Sequence, residues 1–191
     1  MKKTFLATHQ LPMIKTIYKG FLSEKYCDDI VTAYKNTDKI DNTGLNQDNL
    51  FDTERTNWLA HNDPTVKNVA GEIFRMFGDS VTFDSFECTK ANVNLIESWI
   101  AESQENAFVE PHHHGLNFYG CCWSFVFYAK IPKEKSSLVF LDKMHGKHEI
   151  LVRQGDFLVF PSDCVHYTED TCVGRTIYSG NFEVALIRGN L

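Results

Sequence analysis

Gly155-Asp156-Phe157-Leu158-Val159-Phe160-Pro161-Ser162-Asp163-Cys164-Val165-His166 is the stretch that decides the fold. A glycine turn leads into an apolar run, a proline ends it, and a histidine lies on the strand that follows. Outward from this block, short β-type runs alternate with turn residues. They fall at residues 81–86, 93–100, 122–131, 138–141, 149–152, 157–160, 165–168 and 176–184, with turns at Pro132, Lys133, Gly146, Gly155 and Gly174. Strands at this spacing predict a sandwich or jelly-roll barrel.

The chain before residue 81 reads differently. Ser23 can cap a helix over residues 24–36, with Tyr26, Ile30, Val31 and Tyr34 along one side. Asp63 at the cap and Pro64 at the first position open a second helix, which Gly78 is expected to close. Val66, Val69, Ala70, Ile73, Phe74 and Phe77 form its apolar stripe, facing a core. The expectation is one domain over residues 1–191: a helical part to about residue 80 and a β core from about 81 to 186. Between the helices, the polar segment 38–55 is either a lid or a plain surface loop.

A chain of 191 residues buries about 70% of its unfolded surface and needs no staple to fold. Hydrophobic residues at 43% and charged residues at 23% describe a globular protein. Lys+Arg number 19 against 25 Asp+Glu, a net charge of −6, so the footprint of a nucleic-acid partner is absent. No apolar run approaches the ~20 residues that cross a bilayer, so no membrane partner is expected. His9, Gln10 and Pro12 interrupt the first apolar stretch too early for a secretory leader. The six cysteines form no CxxC pair. The expected compartment is therefore a reducing cytoplasm.

Histidine carries the chemistry. In Glu110-Pro111-His112-His113-His114, an extended backbone puts Glu110, His112 and His114 on one face and His113 on the other. Two imidazoles spaced HxH suit neighbouring positions on one metal, and imidazole accepts Fe, Zn, Cu or Ni. His166 is then the natural third ligand from a neighbouring strand. Arg175 enters an apolar strand, where a buried guanidinium requires a carboxylate partner. Its fork fits one bidentately, whether from this chain's own acids or from a dicarboxylate substrate.

Together with Ser124-Phe125-Val126-Phe127-Tyr128, Ile131-Pro132, Leu138-Val139-Phe140 and Gly180-Asn181-Phe182, these motifs resemble the Fe(II)/2-oxoglutarate-dependent oxygenases. The likeness is to the prolyl-hydroxylase-like type with small members in marine phages and bacteria, and covers roughly residues 95–184. It implies a mainly β fold, a double-stranded β-helix (jelly-roll or cupin-like) buttressed by N-terminal helices. It also implies Fe(II) on His112, His114 and His166, Arg175 on the far carboxylate of 2-oxoglutarate, and Tyr128 as a hydrogen-bonding partner of that cosubstrate. O2 would be consumed, succinate released and a substrate C–H oxidised, in a host's cytoplasm if the chain is phage-encoded. The family acts on proteins, amino acids, nucleobases, lipids and small metabolites, so the resemblance names a reaction and not a substrate.

Two positions depart from the family pattern. Where the family has Asp or Glu two residues after the first histidine, this chain has His114, leaving Glu110 or His113 as alternative ligands. Where many members carry a hydroxyl two residues after the arginine, this chain has Ile177, with Ser179 the substitute on the same face. Other candidates read as walls or core: Trp99, Trp123, Phe125 and Phe127, and the thiol of Cys164. His145 and His148 lie in a polar hairpin turn and are expected in solvent. Two competing readings are a cupin-type metal enzyme that uses no 2-oxoglutarate and a non-catalytic β-barrel binding module.

Overall fold

The computed structural model describes residues 7–11, 15–39, 53–56, 59–84, 88–104, 109–114, 122–132, 136–142, 146–168 and 173–188. Helix α1 spans Glu24–Asn36, as the sequence predicts. Ser23 is extended at its cap but makes no side-chain capping bond; its carbonyl takes the Tyr26 N–H at 3.0 Å. Helix α2 spans Pro64–Asp84. The Asp63 carboxylate caps it, accepting the N–H of Thr65 at 2.7 Å and of Val66 at 3.2 Å.

Gly78 does not end α2, and residues 81–84 continue the helix instead of starting a strand. A glycine closes a helix by taking a left-handed conformation. Among the described glycines, only Gly155 and Gly174 have positive φ. An apolar run as short as 81–86 fits helix or strand by period alone, and here the preceding helix extends through it.

The strands are β1 (Ala7–Leu11), β2 (Lys15–Phe21), β3 (Thr53–Arg55), β4 (Cys88–Ser103), β5 (Val109–His112) and β6 (Cys122–Lys130). They continue with β7 (Ser136–Leu141), β8 (Lys147–Val152), β9 (Asp156–Pro161), β10 (Val165–Thr168) and β11 (Thr176–Arg188). Seven make a large sheet in the order β1-β2-β9-β6-β11-β4-β3, and four make a small one in the order β5-β10-β7-β8. Every pair of named strands is antiparallel. The result is a double-stranded β-helix with helices on one side.

Two apolar layers hold it together. Ile30, Ile73 and Phe77 from the helices pack on Phe127, Tyr178 and Phe182 of the large sheet. Val126, Tyr128 and Leu158 pack between the sheets against Leu138 and Phe140. Strand β6 therefore buries both faces, which is why it reads as a nearly unbroken apolar run.

The part before residue 81, read as helical, also supplies β1, β2 and β3. Strand β2 escapes a period-two reading because its two fully used apolar residues are adjacent. Ile17 enters the inter-sheet layer, while Tyr18 meets Phe77 edge-on at 5.1 Å. Strand β3 lies inside the segment read as a loop, and residues 40–52 of that segment lie outside the described residues.

Gly180 shows how closely the central strands approach. A Cβ there would stand 2.5 Å from the Glu97 carbonyl oxygen and 2.8 Å from Phe125 Cε1. Gly180→Ala is expected to destabilise the fold by about 1–3 kcal/mol, read as a lower thermal unfolding midpoint. An unchanged midpoint would show that this strand pair yields easily.

Candidate functional site

The short strand β5 aligns one histidine with another. His112 lies opposite His166 of β10, and His166 lies opposite Phe140 of β7, so the three form a row across the small sheet. His114 follows two residues past the end of β5, its main-chain N–H bonded to the Ser162 carbonyl at 2.9 Å. One ring nitrogen from each imidazole falls within 4.8 Å of the others, and His114 Nε2 is 3.3 Å from His166 Nε2.

Backbone carbonyls decide two of the tautomers. His112 Nδ1 is 2.7 Å from the Glu110 oxygen and His166 Nδ1 is 2.9 Å from the Cys164 oxygen. A carbonyl only accepts, so each Nδ1 carries the proton and each Nε2 keeps a lone pair. Burial, followed by the neighbouring histidines, pushes the His114 pKa down to about 4 and that of His166 well below the usual range. Burial also lowers His112, partly opposed by its bond to the Glu110 carbonyl. All three are neutral near pH 7, the protonation state in which imidazole binds metal.

The same cleft, about 660 Å³ with its open mouth, continues to Arg175. Two rows of the large sheet floor it: Ala101, Ile177 and Tyr128, then Trp99, Ser179 and Val126. Arg175 is 2% exposed, with Nη1 3.4 Å from Ser136 Oγ. Its main chain is pinned by Ser103, whose N–H bonds the Arg175 carbonyl at 3.0 Å. The Tyr128 hydroxyl is fully buried and has no hydrogen-bond partner among the described residues. Burial pushes its pKa up, with the Arg175 guanidinium pulling the other way. A buried phenol with an unused donor beside a buried guanidinium suits an anionic, oxygen-rich ligand. The nitrogen donor set suits a divalent transition metal.

No family model and no curated protein sequence matches the chain. Solved structures do match it. HygX from Streptomyces hygroscopicus, with nickel and 2-oxoglutarate bound, aligns at TM-score 0.59 and 13% identity over 87% of this chain and 82% of that one. A Pseudomonas putida prolyl-4-hydroxylase aligns at TM-score 0.60 and 13% identity over 91% and 92%. The viral collagen prolyl hydroxylase of Paramecium Bursaria Chlorella virus-1, in its 2-oxoglutarate complex, aligns at 0.57 and 16% over 88% and 94%. The fold is that of the Fe(II)/2-oxoglutarate oxygenases.

Within this β-helix, His112, His114, His166, Arg175, Tyr128 and Ser179 all face one cleft. Glu110 and His113 are exposed and lie outside the cluster. Strict alternation would have put Glu110 beside His112. The ladder instead shifts register between His166 and Thr168, pairing Thr168 with Val109, so Val109 and His112 both line the cleft.

Of the aromatic candidates, Trp99 lines the cleft, whereas Trp123 and Phe127 pack beneath the helices. Phe125 borders the cleft and also meets Phe74 edge-on at 5.6 Å. Cys164 is a buried core thiol whose carbonyl, rather than its sulfur, serves the site. His148 is partly buried with Nε2 3.3 Å from Asp142, and His145 lies outside the described residues. Phe160, edge-on to His166 at 4.7 Å, is a wall that sequence reasoning missed. Its position on the apolar strand leading to Pro161 was the available signal.

The depressed imidazoles couple stability to pH. The unfolded chain takes up protons at the ordinary histidine pKa of about 6.5, while folded His114 resists until about 4. The unfolded state therefore binds more protons in this window, and metal-free stability falls as pH drops from about 6.5 toward 4. Above that window the contribution is flat. Thermal unfolding of metal-free protein should show this slope, and His114→Gln should reduce it. A wild-type midpoint that stays level from pH 7 to 5 would contradict the neutral cluster.

Proposed function

We propose that the protein is an Fe(II)- and 2-oxoglutarate-dependent oxygenase that hydroxylates a substrate C–H bond. The observation that carries this is the placement of three neutral imidazoles and a buried Arg175–Tyr128 pair in a single cleft. His112, His114 and His166 hold the cation, and Arg175 takes the far carboxylate of 2-oxoglutarate. Tyr128 donates its buried hydroxyl to the same ligand, with Ser179 as a further donor from the cleft floor. Iron bound there supplies O2 activation coupled to decarboxylation of 2-oxoglutarate to succinate.

The chain's own contribution is orientation and exclusion of water. Two carbonyls aim imidazoles, Phe140 and Phe160 cover His166, and the sheet floor keeps Arg175 dry. A low-dielectric wall strengthens the attraction between the guanidinium and a carboxylate. No described helix is long and apolar enough to cross a membrane. One observation favours a second reading: a cluster with three histidines and, among the described residues, no carboxylate suits a cupin-type metal enzyme that uses no 2-oxoglutarate.

Anaerobic addition of Fe(II) and 2-oxoglutarate should produce a weak visible charge-transfer band. Removing one partner of a buried charge pair costs about 2–5 kcal/mol, so Arg175→Met should weaken 2-oxoglutarate about 30-fold or more. Tyr128→Phe should weaken it about tenfold, the value of a hydrogen bond to a charged group. Metal binding with no band, no succinate and no effect of Arg175→Met would favour the cupin-type reading.

A further inference from the structure

The three imidazoles are not held alike. His112 and His166 each donate Nδ1–H to the carbonyl two residues earlier in the chain, Glu110 on β5 and Cys164 in the turn before β10. Among the described residues, no carbonyl holds His114 in this way. Its ring instead lies nearly parallel to two others, the imidazole of His166 at 9° with centroids 5.1 Å apart and the indole of Trp99 at 16° with centroids 5.8 Å apart, and of these only Trp99 is not itself a candidate ligand.

The two supports of His114 act on different degrees of freedom. Its main chain is tied to Ser162, whose hydroxyl is 2.8 Å from that of Ser124. Ser124 Oγ donates to Asn181 Oδ1 at 2.7 Å, and Asn181 Nδ2 donates to Glu97 Oε1 at 2.6 Å. This largely buried network runs from the turn after β9 across β6 and β11 to β4 and fixes where the His114 backbone sits. It does not itself set the ring torsion, which is intrinsically broad for an imidazole. Trp99 stands on β4, paired with Ser179 of β11 in the long central ladder, so it is a stiff surface for the ring to lie against.

We propose that Trp99 is a positioning residue, which sets the plane of His114 so that its Nε2 faces the cation shared with His112 and His166. This rests on the metal-site reading above. The flat indole does for His114 what a backbone carbonyl does for the other two, and what outer groups that orient metal-ligating histidines generally do.

The test is titration of metal-free protein with Co(II), following affinity and the visible ligand-field bands. Trp99→Phe keeps a flat ring, and Trp99→Leu keeps bulk without one. Leu should weaken Co(II) about tenfold and alter the bands, while Phe stays near wild type. Equal affinity and spectra for Leu, Phe and wild type would overturn the proposal, as would equal losses in both variants. If wild type itself binds no Co(II), the metal-site reading fails instead. Should Trp99→Leu not fold, nuclear Overhauser contacts between His114 and Trp99 rings in wild-type protein decide. A fixed set supports the stack and their absence overturns it.

Discussion

The pairing of β5 with β10 is the constraint from which the site follows. It sets His112 directly across from His166, and its register shift moves the next cleft-facing position on β5 to Val109. In both cases the carbonyl two residues before the histidine, on β5 or in the turn that leads into β10, takes the ring Nδ1–H. Each imidazole is thus aimed by the backbone just before it. The arrangement needs only local chain geometry and a correct register.

The rest of the molecule keeps that register and keeps it dry. Strands β6 and β11 are packed on both faces, by the helices on one side and by the small sheet or the cleft on the other. Burial in this setting favours the uncharged form of a histidine, and three close imidazoles reinforce one another. The same burial leaves Arg175 as a permanent charge at the other end of the cleft. One end is thus neutral and nitrogen-rich, the other cationic, and the space between them matches a ligand with an acidic end.

Much of this was legible in the sequence because it rests on local chemistry. The Glu24–Asn36 helix, the Asp63 cap, the Gly155 turn and the histidine and arginine positions follow from residue type and spacing. What was not legible depends on partners distant in sequence. Glu110 looked like a face-mate of His112 because alternation assumes an unbroken ladder, and the shift opposite His166 breaks it. Strand β2 was hidden because Ile17 and Tyr18 serve different layers, and residues 81–84 because a short apolar run carries no period of its own. Trp99 was visible as an aromatic in a strand, but its parallel stack on His114 exists only once β4 and the end of β5 meet.

An anaerobic crystal structure with Fe(II) and 2-oxoglutarate tests the central claim most directly. The account predicts one cation bonded to Nε2 of His112, His114 and His166, with the far carboxylate of 2-oxoglutarate against Arg175. A cation bound through Glu110 or outside the histidine cluster, or a cosubstrate turned away from Arg175, would contradict it.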